Sequence, residues 1–172
     1  MPDVHIPVFG STDELLLHIL QEFFEGQGIH IGTLFSEEIK PPMIIARAER
    51  RSGTMGDVVT DDRHMHPVVI SVSTITDGVD ADEMGEELQE ACRIALRQAH
   101  LKQIVVPNGG SIARLTNASL PVRVSDYATS TSVVQYAGLP AGQVRYESVW
   151  RAVLRSPPPS TITNRFLSTP SP

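Results

Sequence analysis

Two stretches of the chain repeat their apolar residues at helical spacing. In the first, over residues 11–25, the apolar positions are Leu15, Leu16, Ile19, Leu20, Phe23 and Phe24, and Gly26 follows as a stop signal. Ser11 and Glu14 have the spacing of a capping box, in which each side chain binds a backbone amide of the other residue. The pattern predicts an amphipathic helix over residues 11–25.

The second helical stretch covers residues 80–101. Its apolar stripe consists of Leu88, Cys92, Ala95, Leu96 and Ala99. Asp80 and Glu83 have capping-box spacing, and Val79 and Met84 stand at the positions of a hydrophobic staple. Acidic residues crowd the first half and basic residues the second, which complements the helix dipole. These signals predict a long helix with a solvated outer face.

Other segments alternate with the period of a β-strand. They are "IHIGTLFS" at 29–36, "MIIARAE" at 43–49, "PVVISVSTIT" at 67–76, "LPVRVSDYAT" at 120–129, "TSVVQYAG" at 131–138 and "GQVRYESVWRAVLR" at 142–155. In the last segment, a mainly apolar set from Val144 to Leu154 alternates with a mostly charged set from Arg145 to Arg155. That alternation is typical of a half-buried antiparallel strand.

The order of these elements predicts an α+β fold, with a largely antiparallel sheet and two main helices packed on one face. The length of 172 residues fits one domain, which we place at residues 1–155. Residues 156–172 are rich in Pro, Ser and Thr and are predicted to be a C-terminal extension. Residues 50–66 form a long predicted loop, and loops of that length usually have a function. "PNGGS" at 107–111 predicts a turn.

Composition excludes several classes of protein. The formal net charge is −6, from 14 basic and 20 acidic residues, which argues against a protein that grips nucleic acid through a basic surface. The single cysteine, Cys92, allows no intramolecular disulfide and is expected to be a small buried helix residue. The chain shows no signal peptide and no apolar run of membrane-spanning length, so we expect a soluble protein that is not exported.

The segment "DDRHMH" at 61–66 is the best candidate for metal chemistry. On an extended strand His64 and His66 would project to the same face, with Asp61 or Asp62 as an oxygen ligand. A zinc site needs three or four placed ligands, and the remaining histidines are scattered singly. We therefore interpret the segment as the polar edge of a strand, with no metal. No dinucleotide-binding, Walker or Gly-x-Ser-x-Gly motif occurs, so we expect no enzyme and no cofactor.

Three passages give the chain a resemblance to a known family. They are the opening helix "STDELLLHILQEFF" with the following "IKPPMIIARA", the loop and strand "DDRHMHPVVISVST" followed by "DGVDADEMGEELQEACRIAL", and the closing "YAGLPAGQVRYESVWRAVLR". Together they cover most of residues 11–155. In their order and in their pattern of residue types they resemble the tail-terminator, or tail-to-head joining, proteins of long-tailed bacteriophages. More broadly, they resemble the small α+β neck and tail-completion proteins.

The resemblance implies a structural virion protein without enzymatic activity or cofactor. Such a protein forms a homo-oligomeric ring, commonly a hexamer, that caps the tail tube, ends its polymerisation and joins it to the head connector or head-closure protein. DNA passes through the lumen without specific binding, and assembly takes place in the host cytoplasm. The alternatives are another neck or head-closure component and, more remotely, a small metal-dependent enzyme that uses His64 and His66.

Two groups of residues are predicted to face the lumen or a neighbouring subunit. An acidic lumen would favour passage of DNA, because it does not hold the phosphates. The first group belongs to the long loop and the strand after it: Asp57, Asp61, Asp62, Arg63, His64 and His66. The second lies in the acidic half of the long helix: Glu83, Glu86, Glu87 and Glu90.

Overall fold

The computed structural model describes residues 11–34, 40–50, 65–107, 109–124 and 141–156. Within these ranges the chain forms two helices and five strands: α1 (Thr12–Phe23), β1 (His30–Gly32), β2 (Met43–Arg50), β3 (Met65–Asp77), α2 (Ala81–Leu101), β4 (Ser111–Val124) and β5 (Gln143–Arg155). Three predicted segments lie wholly or mainly outside the described residues: the strand at 131–138, the long loop and the C-terminal extension.

The five strands form one mixed sheet in the order β1-β2-β3-β5-β4. β1 runs parallel to β2, and the other neighbouring pairs are antiparallel. α1 packs over β1 and β2, whereas α2 packs over β3, β4 and β5, and the two helices contact each other. The structure thus confirms the predicted α+β class with a largely antiparallel sheet.

The main core lies between the helices and one face of the sheet. The predicted α2 stripe is confirmed, because Leu88, Cys92, Ala95, Leu96 and Ala99 are all buried. They meet Val68, Ile70 and Val72 of β3 and Trp150, Ala152 and Leu154 of β5. Each large aliphatic side chain buried here contributes about 1.5–3 kcal/mol to folding. The alternation read from β5 therefore identified the face of that strand that meets the helices.

The predicted helix caps are wrong. Neither Ser11 nor Asp80 makes a side-chain capping hydrogen bond. Asp80 has φ −101° and ψ 22°, which is not the extended geometry that directs an N-cap side chain toward the first-turn amides. The staple also fails, because Val79 is fully exposed.

The first turn of α1 is instead tied to strand β2. The Ala48 amide donates to Asp13 Oδ1 at 2.7 Å, and the Thr12 hydroxyl donates to the Ala48 carbonyl at 3.0 Å. Through these two bonds, side chains at the start of the helix satisfy the backbone amide and carbonyl of Ala48 in β2. They fix α1 against the sheet, a role that sequence spacing does not reveal.

The predicted turn between α2 and β4 is confirmed, and glycine is needed at positions 109 and 110 for different reasons. Gly110 has φ 80°, a left-handed conformation that favours glycine. A Cβ on Gly109 would lie 2.7 Å from Leu15 Cβ and 2.9 Å from Leu15 Cα. Gly109 therefore allows the turn to approach the backbone of α1 closely.

Candidate assembly surfaces

The structure describes only part of the predicted loop group. Asp57, Asp61, Asp62, Arg63 and His64 lie outside the described residues, so the His64 and His66 pair has no described geometry. His66 is half-buried near the start of β3 and pairs with Leu154 of β5. In the part of the chain that the structure describes, no group of three or more His, Cys, Asp or Glu side chains could hold a metal ion.

The second predicted group lies together on the outer side of α2. Glu83, Glu86, Glu87 and Glu90 are all exposed. Glu90 accepts a hydrogen bond from Arg93 Nε at 2.7 Å, and this bond lowers the pKa of the Glu90 carboxyl. Because the pair is exposed, it adds little to stability. The remaining carboxylates make the first half of α2 a strongly acidic surface.

A tyrosine connects this acidic surface to the sheet. The Tyr146 hydroxyl, from β5, donates to Asp82 Oδ1 at 2.9 Å and lies 3.3 Å from Glu86 Oε1. Arg123 Nη1 of β4 lies 3.1 Å from the same Asp82 oxygen. Gly85 makes room for the ring, since a Cβ there would lie 2.8 Å from Tyr146 Cδ2. A glycine inside a strongly helical stretch was the sequence signal for this close packing.

Ionisation of the Tyr146 phenol should lower the stability of the fold at alkaline pH. Burial, together with hydrogen bonds from the phenol to Asp82 and Glu86 and their negative charges, raises its pKa from 10.0 to about 12. The folded state therefore holds the proton more tightly than the unfolded state, so this contribution is full below pH 10 and is lost as the pH rises toward 12.

We expect Tyr146→Phe to reduce the loss of stability between pH 10 and pH 12. Unfolding by urea at several alkaline pH values measures this loss for the wild type and the variant. Absorbance titration should also show that the variant lacks a tyrosine that ionises near pH 12. Equal losses of stability in the two proteins would contradict the assignment.

A buried polar network lies beneath α2. Gln89 is almost fully buried, and its Nε2 donates to the Val72 carbonyl at 3.0 Å and to the Tyr146 carbonyl at 3.1 Å. Its Oε1 accepts from the Ser148 hydroxyl at 2.8 Å, and Ser148 in turn lies 3.3 Å from Trp150 Nε1. The network joins α2 to two neighbouring inner strands, because Val72 belongs to β3 and the other partners to β5.

The opposite face of the sheet carries a buried ion pair. Arg145 of β5 was predicted to lie on an exposed charged face, but this prediction is wrong, because the side chain is fully buried. Its Nη2 donates to Glu147 Oε2 at 2.6 Å and to Ser73 Oγ at 3.1 Å. The Glu147 side chain is 12% exposed. A guanidinium tolerates burial when a carboxylate and a hydroxyl bind it, which explains how this position departs from the simple alternation.

The two ends of the sheet are unlike each other. At one end β4 is 14 residues long and, among the described strands, pairs only with β5. At the other end β1 has 3 residues and pairs with β2, under α1. β4 leaves Leu120 and Val122 exposed, and its pairing with β5 shifts register between Ser119 and Val122. The shift leaves Pro121 outside the ladder, where its missing amide proton costs nothing.

Comparison with known proteins gives no further assignment, because no protein-family model and no curated protein matches the sequence. Among the described residues, no helix is long and apolar enough to cross a membrane.

Proposed function

We propose that this chain is a structural protein of a bacteriophage tail, of the tail-terminator type, and that it forms a homo-oligomeric ring at the end of the tail tube. The observation that carries the proposal is the open sheet with two unlike ends. A closed ring of identical chains, joined head to tail, requires two different surfaces on each chain. A long strand at one end and a short strand under a helix at the other supply such a pair.

The architecture and the charge of the chain support the same proposal. An α+β sheet with both helices on one face is the kind of fold that the resemblance to tail-completion proteins implies. In the proposed ring, Glu83, Glu86 and Glu87 line or flank the channel, where their charges keep passing DNA from binding. The proposal gives the same channel or interface role to the loop group predicted from the sequence: Asp57, Asp61, Asp62, Arg63, His64 and His66.

The proposed partners are other copies of the chain, the tail tube protein and a head connector or head-closure protein. The ring would assemble in the host cytoplasm and remain in the virion, between tail and head. Another neck or head-closure component would occupy the same region of the particle with different neighbours, and the experiment must separate these two positions.

Tube polymerisation tests the proposed function. We expect the purified chain, added to polymerising tail tube protein, to shorten the tubes and to appear at one tip of each tube in electron micrographs. A head-closure component would bind the head connector and leave the tube length unchanged. Unchanged tubes without the chain at their tips would contradict the terminator function.

A further inference from the structure

The first two turns of α2 are packed differently from the rest of the helix. Of residues 81–87, only Ala81 and Gly85 are buried, and these two have the smallest side chains. Ala81 packs with Val144 and Tyr146 in a small cluster separate from the main core. From Leu88 onward, the apolar stripe of α2 lies in the main core. Because apolar burial stabilises a helix in proportion to its area, most of this stabilisation falls on the second part of α2.

Hydrogen bonds hold the first two turns to the sheet. The Thr76 hydroxyl of β3 donates to the Ala81 carbonyl at 2.5 Å, and the Thr74 hydroxyl donates to the Gly85 carbonyl at 3.3 Å. The Tyr146 phenol binds two exposed carboxylates of the same turns. Water replaces each of these partners when the turns detach, so the net gain from each bond is small.

The start of α2 lacks the features that stabilise a helix end. The Asp80 side chain makes no capping hydrogen bond, and residues 77–80, which lead into the helix, are all exposed. Gly85 lowers the helix propensity, because glycine has the most backbone freedom to lose. Glu83 and Glu87 carry like charges four residues apart, which destabilises a helix. The helix dipole favours Glu83 in the first turn, but its effect fades before Glu87 in the second.

Gln89 fixes the helix to the sheet just beyond these two turns. Its buried side chain binds the carbonyls of Val72 and Tyr146, which lie on two different strands. Leu88 beside it is buried in the main core. The weakly held part of α2 therefore ends before Leu88.

We propose that residues 77–87 form a conformational device, a segment that detaches from the sheet and refolds as a unit while the sheet and α2 from Leu88 onward stay folded. We call these residues the opening segment. The inference concerns each copy of the chain and does not require the ring. Glu83, Glu86 and Glu87 belong to the opening segment, so the acidic surface of α2 lies on the part of the molecule that moves first. In the proposed ring, the opening alters the acidic lining of the channel without loosening the sheet.

Hydrogen exchange of the full chain, read by mass spectrometry of overlapping peptides, tests the inference. Detachment of the opening segment breaks the helical hydrogen bonds of the amides in residues 85–88, whereas the amides in residues 96–99 keep theirs. We expect protection factors at least about 10-fold lower for residues 85–88 than for residues 96–99. Urea below the unfolding transition should speed exchange steeply in residues 96–99 and only slightly in residues 85–88, because the detached segment exposes little surface.

Ile112→Val separates this local opening from unfolding of the whole chain. Ile112 is buried in the main core, which stays folded when the opening segment detaches. The variant therefore destabilises the native and the opened states alike, relative to the unfolded state. We expect exchange in residues 96–99 to become about 5-fold faster and exchange in residues 85–88 to stay unchanged. Ile94→Val makes the same change at an exposed residue of α2 and should alter neither rate.

Three results would overturn the inference. Equal protection of the two groups of amides would mean that α2 opens only with the whole fold. Protection that rises gradually from residue to residue would be ordinary fraying of a helix end. Acceleration of both groups by the same factor in Ile112→Val would mean that they exchange through one common opening. Tube polymerisation tests the proposed function separately.

Discussion

Arg145→Met is expected to lower the free energy of unfolding by about 3–5 kcal/mol. The substitution removes a fully buried guanidinium that donates to Glu147 and Ser73. Methionine fills much of the same volume but donates no hydrogen bond. The Glu147 carboxylate, only 12% exposed, then loses the Arg145 guanidinium in a place where water replaces it poorly. Urea unfolding monitored by Trp150 fluorescence measures the difference.

Two further variants show whether the loss comes from the Glu147 carboxylate after it has lost Arg145. Arg145→Met/Glu147→Gln removes both charges, so it should be more stable than Arg145→Met alone. Arg151→Met makes the same change at an exposed arginine of the same strand and should alter stability by no more than about 0.5 kcal/mol. A double variant no more stable than the single variant would show that the ion pair is not the cause.

Gln89→Leu is expected to cost at least about 2 kcal/mol, although leucine is the more apolar residue. Gln89 donates to carbonyls on two strands and accepts from Ser148, and all these groups are buried. A buried polar group left without its partner costs about 1–3 kcal/mol, and leucine supplies no replacement. The gain from burying a more apolar side chain does not offset this loss.

Gln98→Leu is the matched control for this substitution. It makes the same change on the exposed side of the same helix and should alter stability by no more than about 0.5 kcal/mol. Chemical unfolding of both variants under the same conditions provides the comparison. Equal stabilities for Gln89→Leu and the wild type would show that the network contributes nothing to the fold.

The spacing of apolar residues correctly predicted the elements in which one side is consistently apolar. The stripe of α2 and the inner face of β5 were read correctly because one side of each element is consistently apolar. β4 was expected to begin at residue 120, yet it begins at Ser111. Residues 113–120 alternate between partly buried and exposed, but the partly buried positions include Asn117 and Ser119, so no apolar period marks the earlier start.

The buried polar residues could not be predicted in the same way. Gln89 binds Ser148, which is 59 residues away in sequence, and Arg145 binds Ser73, 72 residues away, in addition to Glu147 on its own strand. A pattern of apolar and polar residues assigns such side chains to the surface by default. Ser148, a hydroxyl within the apolar face of β5, was the one local sign that this interface contains a polar network.

Of the candidate surfaces, one could be predicted from the local sequence and the other could not. The carboxylates of α2 were predicted correctly as exposed, because acidic residues on one face of a helix can be recognised directly from their spacing in the sequence. The exposed apolar residues Leu120 and Val122 were missed, since they gain significance only from the position of β4 at the end of the sheet. Sheet order depends on long-range pairing, which local periodicity does not determine.

The central claim is that copies of this chain close into a ring through unlike ends of the sheet. Electron microscopy of the purified full chain, alone and at the tip of tail tubes, tests it most directly. We expect closed rings with one rotational symmetry, in which every copy touches two neighbours through the two unlike ends of its sheet. Monomers under all conditions, two-fold dimers or open filaments would contradict the claim.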